Sequence, residues 1–146
     1  MFLGQYRHGV DAKGRVAVPA PFRRYLPEGS VISIGPESRL VLRPPAEWEK
    51  LVSRFRMTSE TPAAERAYIR QLYASARELE MDAQGRVLLD AEHRRFAQIG
   101  DRAVFVGVGN VVELVGSPIW DKEQAGVDPD HFTVLGDSVH SAGGLQ

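Results

Sequence analysis

His8-Gly9-Val10-Asp11-Ala12-Lys13-Gly14-Arg15-Val16-Ala17-Val18 returns half a chain later as Leu79-Glu80-Met81-Asp82-Ala83-Gln84-Gly85-Arg86-Val87-Leu88-Leu89. Asp11, Ala12, Gly14, Arg15 and Val16 reappear 71 positions on as Asp82, Ala83, Gly85, Arg86 and Val87. Arg23-Arg24-Tyr25 becomes Arg94-Arg95-Phe96 at the same shift, and Trp48-Glu49-Lys50 becomes Trp120-Asp121-Lys122 at a shift of 72. A single inserted residue over that distance is what a surface loop absorbs. The chain is two copies of one unit, so whatever it does it does with paired sites. A half of this size is marginal alone, and the two are expected to share a core or interlock.

Each copy reads as a strand, a tight loop and a strand. Gly14 and Gly85 can take the positive φ such a loop needs, and Asp11 and Asp82 can close it by accepting backbone N–H groups. Val16 and Val18 alternate with Ala17, the strand period. In the first copy, strands are expected over 4–10 and 15–18, followed by a short helix after Pro19 and Pro21. Further strands over 31–34 and 39–42 follow, then a helix from Pro44-Pro45 with Trp48, Leu51, Val52 and Phe55 in a stripe. A second helix runs from Thr61-Pro62 to about Ala76. The cycle then restarts with strands over 77–81 and 86–89, a short helix over 91–97, and strands over 102–108 and 111–115. Asp90 is placed to cap that short helix. The division expected is a first half over 5–47, connecting helices over 48–75, a second half over 76–119 and a C-terminal tail over 120–146. The tail shows weak periodicity and is expected to be extended or disordered.

The 146 residues are 43% hydrophobic and 25% charged, an ordinary globular composition. There is no cysteine, hence no disulfide or thiol chemistry. No apolar run reaches the ~18 residues of a membrane span, and no signal-peptide layout opens the chain. The expectation is a cytoplasmic protein with no membrane partner. Beyond Lys122 the chain carries Glu123, Asp128, Asp130 and Asp137 but no Lys or Arg, so a mildly basic body precedes an acidic tail. Enzyme signatures are missing. Gly107-Val108-Gly109 lacks the third glycine of a dinucleotide loop and suits a hairpin turn. The four histidines lack metal-ligand spacing, and no serine sits in a nucleophile elbow. No enzymatic activity, cofactor or metal is expected.

Arg15 and Arg86 are the candidate binding residues. A lone arginine after a Gly turn would be read as solvated, or paired with its own loop aspartate. Here the same spacing occurs twice. Arg7, Lys13, Arg23 and Arg24 lie near one copy and Arg77, Arg94 and Arg95 near the other. Two such loops on one face would suit a DNA groove, where arginine grips phosphates or guanine edges. A protein-interaction module that presents the same face to a protein partner is the competing reading, and steep salt dependence distinguishes DNA from it.

The start Met1-Phe2-Leu3-Gly4-Gln5-Tyr6, the segment Asp11 to Arg23, Trp48-Glu49-Lys50-Leu51, the second Asp-Ala-Gln-Gly-Arg loop, Val106 to Asn110 and Trp120-Asp121-Lys122 together resemble the MraZ family. The resemblance covers about residues 1–122. It implies an α+β, mainly β fold: two tandem SpoVT-AbrB swapped-hairpin halves forming a pseudo-two-fold β-barrel with flanking helices. It further implies a ring-shaped homo-oligomer and a nucleoid-associated transcription regulator. Such regulators bind short direct repeats of double-stranded DNA upstream of their own operon of division and cell-wall genes. The family's DNA-contacting motif falls on Asp11, Lys13 and Arg15 and on Asp82 and Arg86. Arg15 and Lys13 are then the primary DNA-binding residues and Arg86 a secondary one. Arg7, Arg23 and Arg24 would touch phosphate if exposed, and Asp11, Gly14, Asp82 and Gly85 would hold the loops. Two departures make the second copy more acidic: Gln84 stands opposite Lys13, and Asp90-Ala91-Glu92-His93 replaces a proline-containing segment.

Overall fold

The computed structural model describes residues 1–141. In chain order its elements are β1 (Gln5–Gly9), β2 (Arg15–Ala17), α1 (Ala20–Arg23), β3 (Val31–Ile34), β4 (Leu40–Arg43), α2 (Pro45–Val52), α3 (Ala63–Ser75), β5 (Arg77–Glu78), β6 (Arg86–Leu88), α4 (Ala91–Phe96), β7 (Arg102–Gly107), β8 (Val112–Gly116), α5 (Ser117–Ala125) and α6 (Pro129–Ser141). The order of elements through β8 is the one the hydrophobic pattern predicts. Helical residues nonetheless outnumber strand residues, because α3 and α6 lie outside the strand-rich repeat.

All strand pairing is antiparallel. One sheet has the order β1-β7-β8-β4-β3-β5, and β2 pairs with β6 as a separate ribbon. The halves are interlocked. The first strand of each copy leaves its own half and pairs with a strand of the other, β1 with β7 and β5 with β3. The register shows where the pseudo-two-fold axis runs. In the ribbon, Val16 lies opposite Val87, its own repeat equivalent at a shift of 71, with Arg15 opposite Leu88 and Ala17 opposite Arg86 on either side. In the sheet, Val41 lies opposite Glu113, its equivalent at a shift of 72. An axis through these two self-equivalent pairs relates one half to the other.

Between ribbon and sheet lies one core. Val16, Val18, Val87 and Leu89 from the ribbon side meet Leu40, Leu42, Val112 and Leu114 of the central strands, with Phe22 and Phe105 filling the space between. Neither half owns this core, which is why neither could bury enough apolar area alone. Phe2 closes one end, with its ring edge-on to Phe22 at 5.5 Å. Helices cover the outer face of the sheet. Ile69 and Leu72 of α3 are buried against β3, and Trp48 of α2 packs edge-on to Tyr73 at 5.8 Å. Asp90 caps α4 as expected, its Oδ1 accepting the His93 N–H at 2.8 Å.

One expectation is overturned. The chain from Trp120 onward is not extended or disordered: it forms most of α5 and all of α6, and only 142–146 of that stretch lie outside the described residues. α5 is the repeat equivalent of α2 and is firmly docked. Trp120 Nε1 donates to Gln5 Oε1 at 2.7 Å, Arg7 pairs with Asp121 at 2.6 Å, and the buried Arg39 pairs with both Glu113 and Glu123. The weak hydrophobic periodicity that misled the sequence reading reflects this polar attachment. α5 is held by directed hydrogen bonds and ion pairs, which leave no stripe in the sequence.

Candidate nucleic-acid interface

The Asp-x-x-x-Arg loops have the same internal geometry. In the first, the Asp11 N–H donates to the Arg15 carbonyl and the Gly14 N–H to the Asp11 carbonyl, each at 2.9 Å. Asp11 Oδ1 accepts the N–H of Lys13 at 3.0 Å and of Arg15 at 2.9 Å, while Oδ2 accepts Arg15 Nε at 2.7 Å. In the second, Asp82 Oδ1 accepts the N–H of Gln84 and of Arg86, each at 2.9 Å, and Oδ2 accepts Arg86 Nε at 2.8 Å. Gly14 has φ 85° and Gly85 φ 75°, the left-handed region that a side chain resists. The Asp side chain thus builds a turn and aims an arginine with one carboxylate. Backbone N–H donors, foremost that of the arginine itself, hold both carboxyls below their ordinary value.

The pseudo-two-fold brings the loops together. Arg86 Nη1 lies 4.0 Å from Asp11 Oδ2, so one carboxylate of the first loop faces the arginines of both. The Val18 N–H donates to the Gly85 carbonyl and the Leu89 N–H to the Gly14 carbonyl, each at 2.9 Å, stitching each loop to the other half's strand. Arg15 and Arg86 are each about one-third exposed, and Leu88 stands out between them on the ribbon surface.

The arginines that follow each loop in sequence exchange places in space. Arg23 sends Nε to the Val18 carbonyl at 2.7 Å, and its guanidinium lies over Gly85 in the second loop. Its equivalent, Arg94, lies over Gly14 in the first loop. A Cβ at either turn would disturb this arrangement: one on Gly85 would sit 2.5 Å from Arg23 Nε and displace that side chain, and one on Gly14 would sit 3.0 Å from the Leu89 carbonyl. The first loop therefore gathers Lys13, Arg15 and Arg94, and the second Arg86 and Arg23. Arg94 was not among the residues picked out as DNA-binding from the sequence. Its signal was there, as the repeat equivalent of Arg23, but only the crossing of the halves gives it that place.

The loops are unequal. Arg86 spends Nε on Asp82 and Nη2 on Gln84 Oε1 at 3.0 Å. Arg15 spends only Nε, so both of its terminal nitrogens remain available, and Lys13 is exposed beside it with no side-chain partner among the described residues. Two other sequence candidates stand apart. Arg7 is on the opposite face of β1 from His8, whose ring donates to the Ala17 carbonyl at 2.6 Å, and its guanidinium is taken by Asp121 of α5. Arg24 is exposed and lies over the Tyr25 ring at 4.9 Å. Among the described residues no cluster of His, Cys, Asp or Glu could hold a metal ion, and no helix is long and apolar enough to cross a membrane.

The family model described as "MraZ protein, putative antitoxin-like" matches residues 1–70 and 72–128. A protein of Desulfitobacterium hafniense named transcriptional regulator MraZ is 40% identical over 120 residues, covering 82% of this chain and 84% of its own. Namesakes in Carboxydothermus hydrogenoformans, at 39% over 121 residues (83% and 85%), and Herpetosiphon aurantiacus, at 38% over 120 residues (82% and 84%), are similar to nearly the same extent. The doubled loop, the exchanged strands and this near-full-length similarity have one reading: the chain belongs to the MraZ family, whose members here are named transcriptional regulators.

Proposed function

We propose that this chain is a transcriptional regulator that reads double-stranded DNA with its paired Asp-x-x-x-Arg loops and catalyses no reaction. One observation carries the reading. Two loops far apart in sequence are brought within 4.0 Å of each other, and the more cationic of them leaves both terminal nitrogens of Arg15 and the Lys13 ammonium free. A guanidinium held at Nε by its own aspartate presents a preset two-nitrogen edge, the shape that pairs with guanine O6 and N7 or with phosphate oxygens. Arg15 and Lys13 make the main contacts and Arg86 a lesser one. Arg94 and Arg23 add positive potential over the turns, and Asp11, Gly14, Asp82 and Gly85 keep the loops in shape.

One ribbon is small beside the ~1,000–2,500 Å² of protein surface that specific DNA complexes usually bury. Several copies in a ring, each presenting its loop pair to one of a series of direct repeats, would supply the remainder by effective concentration. In this reading the repeats lie in the promoter of the chain's own operon of division and cell-wall genes, and the protein resides in the nucleoid.

The test is selection of bound fragments from the host genome, followed by fluorescence anisotropy on the recovered duplex across a salt series. Recovery of promoter fragments with repeated short motifs, and an affinity that falls steeply with salt, is the expected outcome. Affinity that is flat in salt, or no selected fragments at all, would overturn it in favour of a protein partner for the same face.

A further inference from the structure

α6 is a well-formed helix with an unpartnered apolar stripe. Asp128 caps it, its Oδ1 accepting the His131 N–H at 2.8 Å. Phe132, Leu135 and Val139 follow at the i, i+3, i+7 spacing of a single helix face, and they are 72%, 49% and 42% exposed. Asp128 lies on the same line, one turn before Phe132, whereas Asp130 and Asp137 fall on the opposite side. No other element packs closely on this helix, and none of its side chains is buried. An amphipathic helix left this way is a docking element in search of a groove.

The same fold offers such a groove. It runs along α3, with Ile34, Pro36, Tyr68 and Leu72 walling a section of about 350 Å³. Ile34 and Gln71 continue it into a second section of about 200 Å³ lined by Ala74, Ser75, Glu92, His93 and Phe96. The walls from Tyr68 to Ser75 span roughly the 10 Å that separates Phe132 from Val139, at 1.5 Å per residue. One end holds Arg43. Its Nη1 donates to Ser33 Oγ at 3.0 Å, and the nearby Glu47 carboxylate is paired with Lys50 rather than with it. Burial pushes its pKa down from the ordinary arginine value, only partly offset by Tyr68 and Glu47 nearby. At one end of its stripe α6 carries a negative charge: among the described residues the second oxygen of Asp128 has no hydrogen-bond partner.

We infer that α6 of one copy docks, stripe inward, into the α3 groove of a second copy, with Asp128 meeting Arg43. A second copy is the occupant the charges favour, because the segment beyond Lys122 is wholly acidic and the body before it is net basic. The contact is heterologous: donor helix and acceptor groove are different surfaces of the same chain, the kind that closes rings or extends chains of subunits. It gives the oligomer proposed above a specific contact and needs no DNA, so it is tested in DNA's absence.

The chain has no cysteine, so single introduced thiols report cleanly. One preparation carries Leu135→Cys and another Gln71→Cys, both at exposed positions that leave the core intact. The two are mixed with a short bis-maleimide. Because each chain has one thiol, a crosslinked heterodimer arises only between chains. The expected yield exceeds that of a Leu135→Cys and Glu28→Cys control by at least about tenfold, since docking holds the thiols at millimolar effective concentration. Sedimentation of Leu135→Asp should show a lower average mass than the parent chain. Asp128→Asn, which preserves the cap but removes the charge, should weaken association severalfold. A crosslink yield equal to the control would overturn the proposal. So would a thiol pair in one Leu135→Cys/Gln71→Cys chain that reacts only within itself, or an unchanged mass for Leu135→Asp.

Discussion

Replacing Arg15 by alanine is the sharpest perturbation of the proposed interface, because the structure separates its effect on binding from its effect on folding. The side chain is about one-third exposed, and its only bond among the described residues is from Nε to Asp11. Removing it leaves the turn with its other supports: Asp11 Oδ1 still accepts the N–H groups of residues 13 and 15, and Gly14 still donates to the Asp11 carbonyl. Surface ion pairs of this kind contribute little to stability, so the melting temperature should stay within a few degrees of the parent. Binding should suffer far more. Two free terminal nitrogens can make one bidentate base contact, worth about 1–3 kcal/mol, which is roughly 5- to 150-fold in affinity per site at 1.4 kcal/mol per decade. Simultaneous engagement of several repeats multiplies that loss. In Arg86→Ala the removed group already spent Nη2 on Gln84 and had Nη1 beside Asp11, so the loss should be smaller, on the order of the weaker half of that range. Anisotropy titrations of a fluorescent duplex carrying one and three repeats, at two salt concentrations, measure both variants against the parent. Parental affinity in a folded Arg15→Ala protein would refute the interface, and equal losses in the two variants would refute the asymmetry between the loops.

Gly14→Ala should lower stability by on the order of 1–2 kcal/mol for the left-handed backbone alone, with more from the Leu89 carbonyl 3.0 Å from the new Cβ, read from chemical denaturation. Val16→Ala and Val87→Ala remove symmetry-related, almost fully buried side chains and should each cost about 2 kcal/mol, with matching midpoints; a large difference between them would contradict a shared core. Asp11 and Asp82 have pKa values depressed in the folded state. Their contribution is complete above the unfolded value of about 3.9 and is lost as pH falls through the lower folded values, so amide protection relative to the free-peptide rate at Arg15 and Arg86, whose N–H groups the carboxylates accept, should hold from neutral pH to about 4 and fall only below it. Truncation after Gly126 should leave each chain folded, because no described element packs closely on α6, while lowering the average mass in sedimentation as Leu135→Asp does. Truncation after Gly116 should lower the melting temperature by many degrees, because it strips the Trp120, Asp121 and Glu123 contacts and leaves Arg39 buried without one of its two carboxylates.

Much of this protein could be read along the chain because its logic is local. An Asp that accepts N–H groups two and four residues on, with a Gly at positive φ between, is chemistry completed within five residues, so the loops and their aspartate and glycine roles were legible from spacing alone. Strand and helix order followed from periodicity, and the doubling of sites followed from the 71-residue shift. The unequal loops were foreshadowed by Gln84 opposite Lys13, though only the structure shows Gln84 holding a nitrogen of Arg86.

What tertiary structure decided depends on contacts between residues far apart in the chain, and no spacing encodes those. Arg23 and Arg94 each sit beside their own loop in sequence, but the exchange of strands lays each over the other loop's glycine. Arg7 was expected to touch phosphate if exposed, and no spacing in the sequence shows that Asp121 of α5, more than a hundred residues away, pairs with its guanidinium. The segment after Trp120 looked featureless because α5 is attached by polar bonds, and because the apolar stripe of α6 is left unburied among the described residues. Local turn chemistry and hydrophobic period are determined by neighbours in sequence, and so the sequence by itself determined them. Which guanidinium meets which carboxylate is determined by the pseudo-two-fold packing about Val16–Val87 and Val41–Glu113, which exists only once the halves have interlocked.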